Sequence, residues 1–193
     1  MRAFIDANVF VHVWTLDVLL SAADAGMLEP RWSKGVALEA ERAFSEVRPG
    51  SEGQARAMMA AACKAYPDSM VEGYERRTAN LELPDEGDRH VLAAAMESMC
   101  DAIVTYNLRD FPLETLASYG TEAIHPDELL MRMVEIDPDA MRAIMQSLVR
   151  MKAHPPRTMA EEIAGFAETG WRGSPTGWHR RRRQIIPLFA ACE

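Results

Sequence analysis

Four acids, Asp6, Glu39, Asp88 and Asp110, stand where a carboxylate is not ordinary solvated filler. Asp6 closes the short apolar run that begins at Arg2. Glu39 falls on one face of a helical pattern with Val36, Ala40, Ala43, Phe44 and Val47. Asp88 sits one turn before Val91 on a stripe with Leu92, Ala95 and Met99, and Asp110 follows the β-branched run Ala102 to Tyr106. Each has a bland explanation when taken singly. Asp6 could form an Asx-turn, Glu39 could pair with a buried Arg, Asp88 could cap a helix, and Asp110 could be a turn residue before Phe111-Pro112. Taken jointly, a shared site explains all four better.

If the four meet, two unit charges ~4 Å apart repel by roughly 4 kcal/mol at an effective dielectric of about 20, so something positive must lie among them. No Lys is near any of them in sequence. Arg89 and Arg109 each adjoin one acid, and ion pairing with those arginines is the competing account. An all-oxygen donor set without Cys or clustered His favours Mg²⁺ or Mn²⁺, hard ions that keep waters and accept phosphate oxygens. Such a site suits phosphodiester hydrolysis, with one metal activating water and a second able to stabilise the leaving oxygen. The number of ions is not legible in the sequence.

The elements that must position these acids follow from periodicity. Residues 2–6 read as a strand, and Thr15 as the cap of a helix with Leu16, Leu19, Leu20 and Ala23 that Gly26 stops. Ser33 caps the helix that carries Glu39, and Pro49-Gly50 ends it. Ser51 and Gln54 have capping-box spacing ahead of the stripe Ala55, Met58, Met59, Ala62 and Tyr66, ended by Pro67. Met70 to Tyr74 suits a short edge strand, and Glu75 to Arg77 a surface segment. Pro84 and Gly87 mark a turn, Asp88 opens a helix, Ala102 to Tyr106 is a buried strand, Leu113 to Gly120 a helix and Ala123-Ile124 a last strand. Four or five strands alternating with helices predict an α/β fold with a parallel sheet and a ligand site at the strands' carboxyl ends.

From Pro126 the pattern is helical alone. His125-Pro126-Asp127 opens one helix through Val134, and Asp137 caps another with Pro138 at its first position and Met141, Ile144, Met145, Leu148 and Val149 on one face. Thr158 and Glu161 form a capping box for a helix ending at Gly170, and Trp171 to Trp178 is a loop by composition. The expected division is therefore residues 1–125 as one α/β domain and 126–193 as an all-helical extension.

A chain of 193 residues, 48% hydrophobic, suffices for one buried core plus an appendage. No stretch approaches the roughly 20 apolar residues of a membrane span, and Cys63, Cys100 and Cys192 suggest neither a disulfide framework nor a structural zinc. The expectation is a cytoplasmic protein with no membrane association. Its net charge of −8 argues against a nucleic-acid partner, but the acidity is local: residues 1–125 carry 11 Lys and Arg against 20 Asp and Glu, and residues 126–193 carry 10 against 9. Bound divalent cations would cancel part of the excess. Arg180 to Arg183 offer a basic patch, though a solvated tail is the simpler reading.

The runs Asp85-Glu-Gly-Asp88-Arg-His-Val-Leu-Ala-Ala-Ala and Ile103-Val-Thr-Tyr-Asn-Leu-Arg-Asp110-Phe closely resemble the PIN domain, in the branch that holds VapC-type toxins. The resemblance covers about residues 1–125 and implies a PIN-like three-layer fold, a short, mainly parallel sheet flanked by helices. Phe-Ile-Asp6-Ala-Asn8 is similar to the family's first acidic motif, with Asp6 a metal ligand and Asn8 its support. The spacing from Trp32 to Glu39 matches the second, making Glu39 a ligand or a base acting through water. Asp88 matches the third acid with Asp85 as an auxiliary. Thr105-Tyr-Asn107-Leu-Arg-Asp110 matches the fourth, Asn107 orienting a ligand or water and Asp110 completing the site. What this implies is a Mg²⁺- or Mn²⁺-dependent endoribonuclease with an RNA substrate, a cognate antitoxin partner and a homodimeric state.

Two other classes compete. A PIN module that binds RNA or a protein without cutting would be marked by loss of an acid, and the tetrad is intact. A phosphotransfer or receiver domain also begins with an acid after its first strand, but Asp6-Ala-Asn8 is not its nucleophile pattern and the expected late Lys is absent. His12, His90, His125, His154 and His179 are scattered; His90, beside Asp88, either packs, caps or touches substrate. The 13 Met residues read as adaptable core or interface.

Overall fold

The computed structural model describes residues 1–151. The expectations for Thr158–Glu161, Gly170, residues 171–178, Arg180 to Arg183, His154 and His179 lie outside the described residues.

Five strands form one parallel sheet in the order β3-β2-β1-β4-β5: β1 (Arg2–Ile5), β2 (Glu29–Ser33), β3 (Met70–Val71), β4 (Ala102–Val104) and β5 (Glu122–Ile124). Central β1 pairs Ala3 with Pro30 on one side and Ala102 on the other. Ala3, Phe4, Ile5 and all of β4 are buried, and successive side chains point to opposite faces, so helices cover both sides of the sheet. That is the expected three-layer arrangement.

The helices are α1 (Ala7–Val11), α2 (Val13–Asp24), α3 (Lys34–Val47), α4 (Glu52–Ala65), α5 (Glu75–Thr78), α6 (Arg89–Glu97), α7 (Leu113–Ala117), α8 (Pro126–Ile136) and α9 (Pro138–Met151). Val91 to Ala95 of α6 are wholly buried, and the run of three alanines brings this helix close to β1, β2 and β4. Because α6 leads back into parallel β4, its N-terminus stands at the carboxyl edge of the sheet. Sequence order runs from β1 towards β2 on one side and resumes with β4 on the other, so the switch point of the sheet lies between β1 and β4.

Ser33 caps α3 as expected, its Oγ accepting from the Val36 N–H at 3.2 Å, and Asp137 caps α9 through the Ala140 N–H at 2.9 Å. Gly26, at φ +75°, ends α2. Several expectations need correction. Thr15 does not cap α2, which begins at Val13; its hydroxyl is buried 2.9 Å from that of Tyr106. Ser51 and Gln54 form no capping box, because Ser51 has ψ 16° instead of the extended backbone of an N-cap and its hydroxyl donates to the Arg48 carbonyl. Val47 and Met99 leave their stripes: both are exposed, and Met99 lies beyond α6 at φ +52°. Glu75 to Arg77 do lie at the surface as expected, in the short helix α5, and Arg76 and Arg77 both pair with Glu97.

The described part of the helical extension packs on the same core. Met141, Ile144, Met145 and Leu148 of α9 join the cluster that holds Leu16 and Leu19 of α2. Among the described residues no helix is long and apolar enough to cross a membrane.

At the start of α8 a charged group is buried at a cost. Asp127 is 7% exposed, and its Oδ2 has no hydrogen-bond donor among the described residues. His125 Nδ1 lies 3.5 Å from it but accepts the Asp127 backbone N–H, and burial holds this imidazole below its usual range. Burial therefore pushes the Asp127 carboxyl up to about 6. A raised carboxyl pKa means that the fold favours the neutral form; the favourable contribution is complete below about pH 4 and is lost as pH rises through about 6. Asp127→Asn is expected to stabilise the protein by up to about 3 kcal/mol at pH 8, with the gain vanishing near pH 4. Thermal melts of both proteins across that range check the sign.

Candidate active site

The acids collect where β1 and β4 end. Asp6 immediately follows β1 and caps α1, its Oδ1 accepting from the Ala7 N–H at 2.6 Å. Its Oδ2 accepts from the Thr105 hydroxyl at 2.6 Å and from Asn8 Nδ2 at 2.7 Å. Asn8 Nδ2 also donates to Thr105 Oγ1 at 2.9 Å, Asn8 Oδ1 accepts the Tyr106 N–H at 3.1 Å, and Thr105 Oγ1 accepts the Asn107 N–H at 3.0 Å. Asn8 thus ties the end of β1 to the end of β4, with both amide hydrogens and its carbonyl engaged. Asp6 is 6% exposed, and burial raises its carboxyl above the usual range against the lowering effect of Thr105 and Ala7.

Asp88 ends a 3₁₀ turn that begins at Glu86 and stands at the N-cap of α6. Asp85, at the start of that turn, accepts the Gly87 N–H at 2.8 Å, an arrangement that holds its carboxylate toward the sheet edge. Asp110 closes the 3₁₀ turn after β4 and accepts from Asn107 Nδ2, whose own carbonyl accepts from Arg109 Nε at 3.1 Å. One carboxylate oxygen from each of Asp85, Asp88 and Asp110 lies within 4.8 Å of the other two.

The electrostatics record this crowding. Burial first, then the charges of Asp6, Asp85 and Asp110, push the Asp88 carboxyl up to about 6. The nearby arginines do little to offset it: Arg89 pairs with Glu86 at 2.9 Å, and Arg109, with a mostly exposed side chain, stands 3.7 Å from Asp110. The ion-pair explanation of the acids therefore fails for Asp88 and is weak for Asp110.

Glu39, on the second turn of α3, is not in the trio. Its Oε1 lies 3.0 Å from His90 Nε2, on the first turn of α6. Burial lowers the His90 pKa, but the Glu39 hydrogen bond and the charges of Glu39, Asp6 and Asp88 outweigh it, and the net direction is up. Spacing alone could not pair these two, which lie far apart in the chain. Asp85, expected as an auxiliary, lies in the trio itself, while Asp6 acts on Asp88 by its charge with its own oxygens engaged by Ala7, Asn8 and Thr105.

The family model for the PIN domain matches residues 2–109, which span every element described at this site except the last turn of Asp110. The chain belongs to the PIN domain family. Over 97 residues, 47% of this chain, it is 35% identical to a Mycobacterium tuberculosis protein named "Putative ribonuclease VapC50". That match spans 57% of the relative's length. No solved structure gives a significant match.

Proposed function

We propose that this PIN domain is a divalent-metal-dependent endoribonuclease that hydrolyses RNA phosphodiester bonds, acting as the toxin of a toxin–antitoxin pair. The observation that carries the reading is the meeting of Asp85, Asp88 and Asp110 within 4.8 Å, where the mostly exposed Arg109 beside Asp110 is the one cation paired with any of the three among the described residues. Three hard oxygen donors at that spacing, with neither Cys nor a second His beside them, fit Mg²⁺ or Mn²⁺. Asp88 and Asp110 would hold the ion with Asp85, and Asp6 would shape its other side. When bound, the metal supplies an activated water and charge neutralisation for the attacked phosphate.

The chain's own residues provide the rest. Asn8 and Thr105 both donate to the Asp6 carboxylate and fix its orientation, and Asn107 orients Asp110. Glu39, half-exposed at the rim, can take a proton from water. The name of the Mycobacterium tuberculosis relative supports the ribonuclease assignment. A cognate antitoxin would then silence the site by placing an Arg or Lys among the acids, and a homodimer and a cytoplasmic location belong to the same reading. The proposed functional unit is the PIN domain of residues 1–125, on whose core the helices Pro126–Ile136 and Pro138–Met151 pack.

Mn²⁺ titration followed by calorimetry tests the metal site directly. Saturable binding is expected for the wild type and at least a tenfold weakening for Asp110→Asn. Absence of binding by the wild type would favour the non-catalytic RNA- or protein-binding module.

A further inference from the structure

We infer that His90 is a positioning residue that fixes the Glu39 carboxylate beside the aspartates, and that Gly35 is what lets the imidazole stand there. The inference rests on the metal-nuclease reading of the site. Glu39 has a half-exposed side chain and lies close enough to Asp6 for the two charges to repel. Left alone, a flexible glutamate in that position turns to water, where it has more rotamers and fewer like charges. His90 opposes both tendencies with Nε2 at 3.0 Å from Oε1, which leaves Oε2 as the oxygen free for water or metal.

The ring has little else to do. Its Nδ1 is buried and has no hydrogen-bond partner among the described residues, so it neither caps a helix nor ties down backbone. Its location is set by what is missing opposite. A Cβ on Gly35 would lie 3.2 Å from His90 Nδ1, 3.2 Å from the Tyr74 hydroxyl and 3.5 Å from His90 Cε1. Gly35 is in the first turn of α3, one turn before Glu39, so the same helix that carries the acid makes room for the imidazole that holds it. A side chain at position 35 would require the imidazole or the Tyr74 hydroxyl to give way by a few tenths of an ångström.

The test is a double-mutant cycle on the full-length protein, read by RNA cleavage and, separately, by Mn²⁺ affinity. His90→Phe keeps a ring against Gly35 but removes the donor, and His90→Gln keeps an N–H at similar reach. His90→Phe is expected to lower kcat, with KM little changed, by the same factor as Glu39→Gln, about 10- to 100-fold. His90→Gln should recover most of that loss. The double variant His90→Phe/Glu39→Gln should be no worse than Glu39→Gln alone, in cleavage and in Mn²⁺ affinity. Losses that multiply in the double variant, or a His90→Phe protein matching the wild type in both readouts, would overturn the inference while leaving the nuclease reading intact. If His90→Phe fails to fold, the comparison of His90→Gln with Glu39→Gln decides: equal losses overturn the inference. A wild type that binds no Mn²⁺ and cleaves no RNA would overturn the nuclease reading itself, and this inference with it.

Discussion

Asp88→Asn is expected to reduce metal-dependent RNA cleavage by at least about a thousandfold, equivalent to roughly 4 kcal/mol of transition-state stabilisation, and to make the metal-free protein more stable. Both effects have one cause. Asp88 is surrounded by Asp6, Asp85 and Asp110, and its carboxyl is pushed up to about 6 by burial and by those charges. A raised folded-state pKa favours the protonated carboxyl; the stability it contributes is complete below about pH 4 and is lost as pH rises through about 6. The neutral amide escapes that loss. Because Asp88 is only half-buried and screened by solvent, the gain at pH 8 should be on the order of 1 kcal/mol, shrinking toward pH 4. Saturating Mn²⁺ should reverse the order, stabilising the wild type and not the variant. Activity kinetics beside thermal melts with and without Mn²⁺ check the pair of effects. A variant that is inactive but also less stable without metal would mean that Asp88 serves the fold instead of the site.

Asn8→Ala should be the most destabilising single change at the site. It removes one donor from the buried Asp6 carboxylate and one from Thr105 Oγ1, and it leaves the Tyr106 N–H without its acceptor. Hydrogen bonds to a charged group are worth about 1.5–3 kcal/mol and an orphaned buried backbone group costs about 1–3 kcal/mol, so a loss of roughly 3 kcal/mol is expected. For a chain of this size that lowers Tm by roughly 10 °C. The pH dependence identifies the cause. Burial already raises the Asp6 pKa, and losing a donor to the ionised form raises it further. The deficit should be fullest at pH 8 and diminish as pH falls and the carboxyl protonates. A deficit that stays constant as pH falls through the titration of the carboxyl would show that Asp6 is not the group that Asn8 supports. Cleavage should fall with stability, since a displaced Asp6 opens the joint between β1 and β4.

Some of this architecture is legible in the chain because local signals agree with the fold. The Ser33 cap, Gly26 after α2 and the β-branched run of β4 each do locally what the tertiary structure requires. Strand β2 is hidden, since it contains Pro30, and proline ordinarily argues against a strand inside a sheet. The structure resolves this: β3 pairs only with Trp32 and Ser33, so at Pro30 the strand has an open side and the missing N–H breaks no ladder bond. The acids themselves were legible by their positions on strand ends and apolar faces. That they share a site was expected too, but which oxygens meet was not. Spacing cannot show that Asp85, three residues before Asp88, turns its carboxylate toward Asp110, because a hydrogen bond to the Gly87 N–H fixes that turn. Nor can it show that His90 faces Glu39, a contact made across two helices.

The central claim is that the carboxylates at this sheet edge work through a divalent metal to cut RNA. Its most direct test incubates purified protein with a mixed pool of structured RNA in Mg²⁺, Mn²⁺ or EDTA, beside Asp88→Asn from a parallel preparation. The account predicts discrete cleavage in either metal, none in EDTA, and none by the variant with its fold verified. Cleavage that persists in EDTA, or that is equal in wild type and variant, would contradict it.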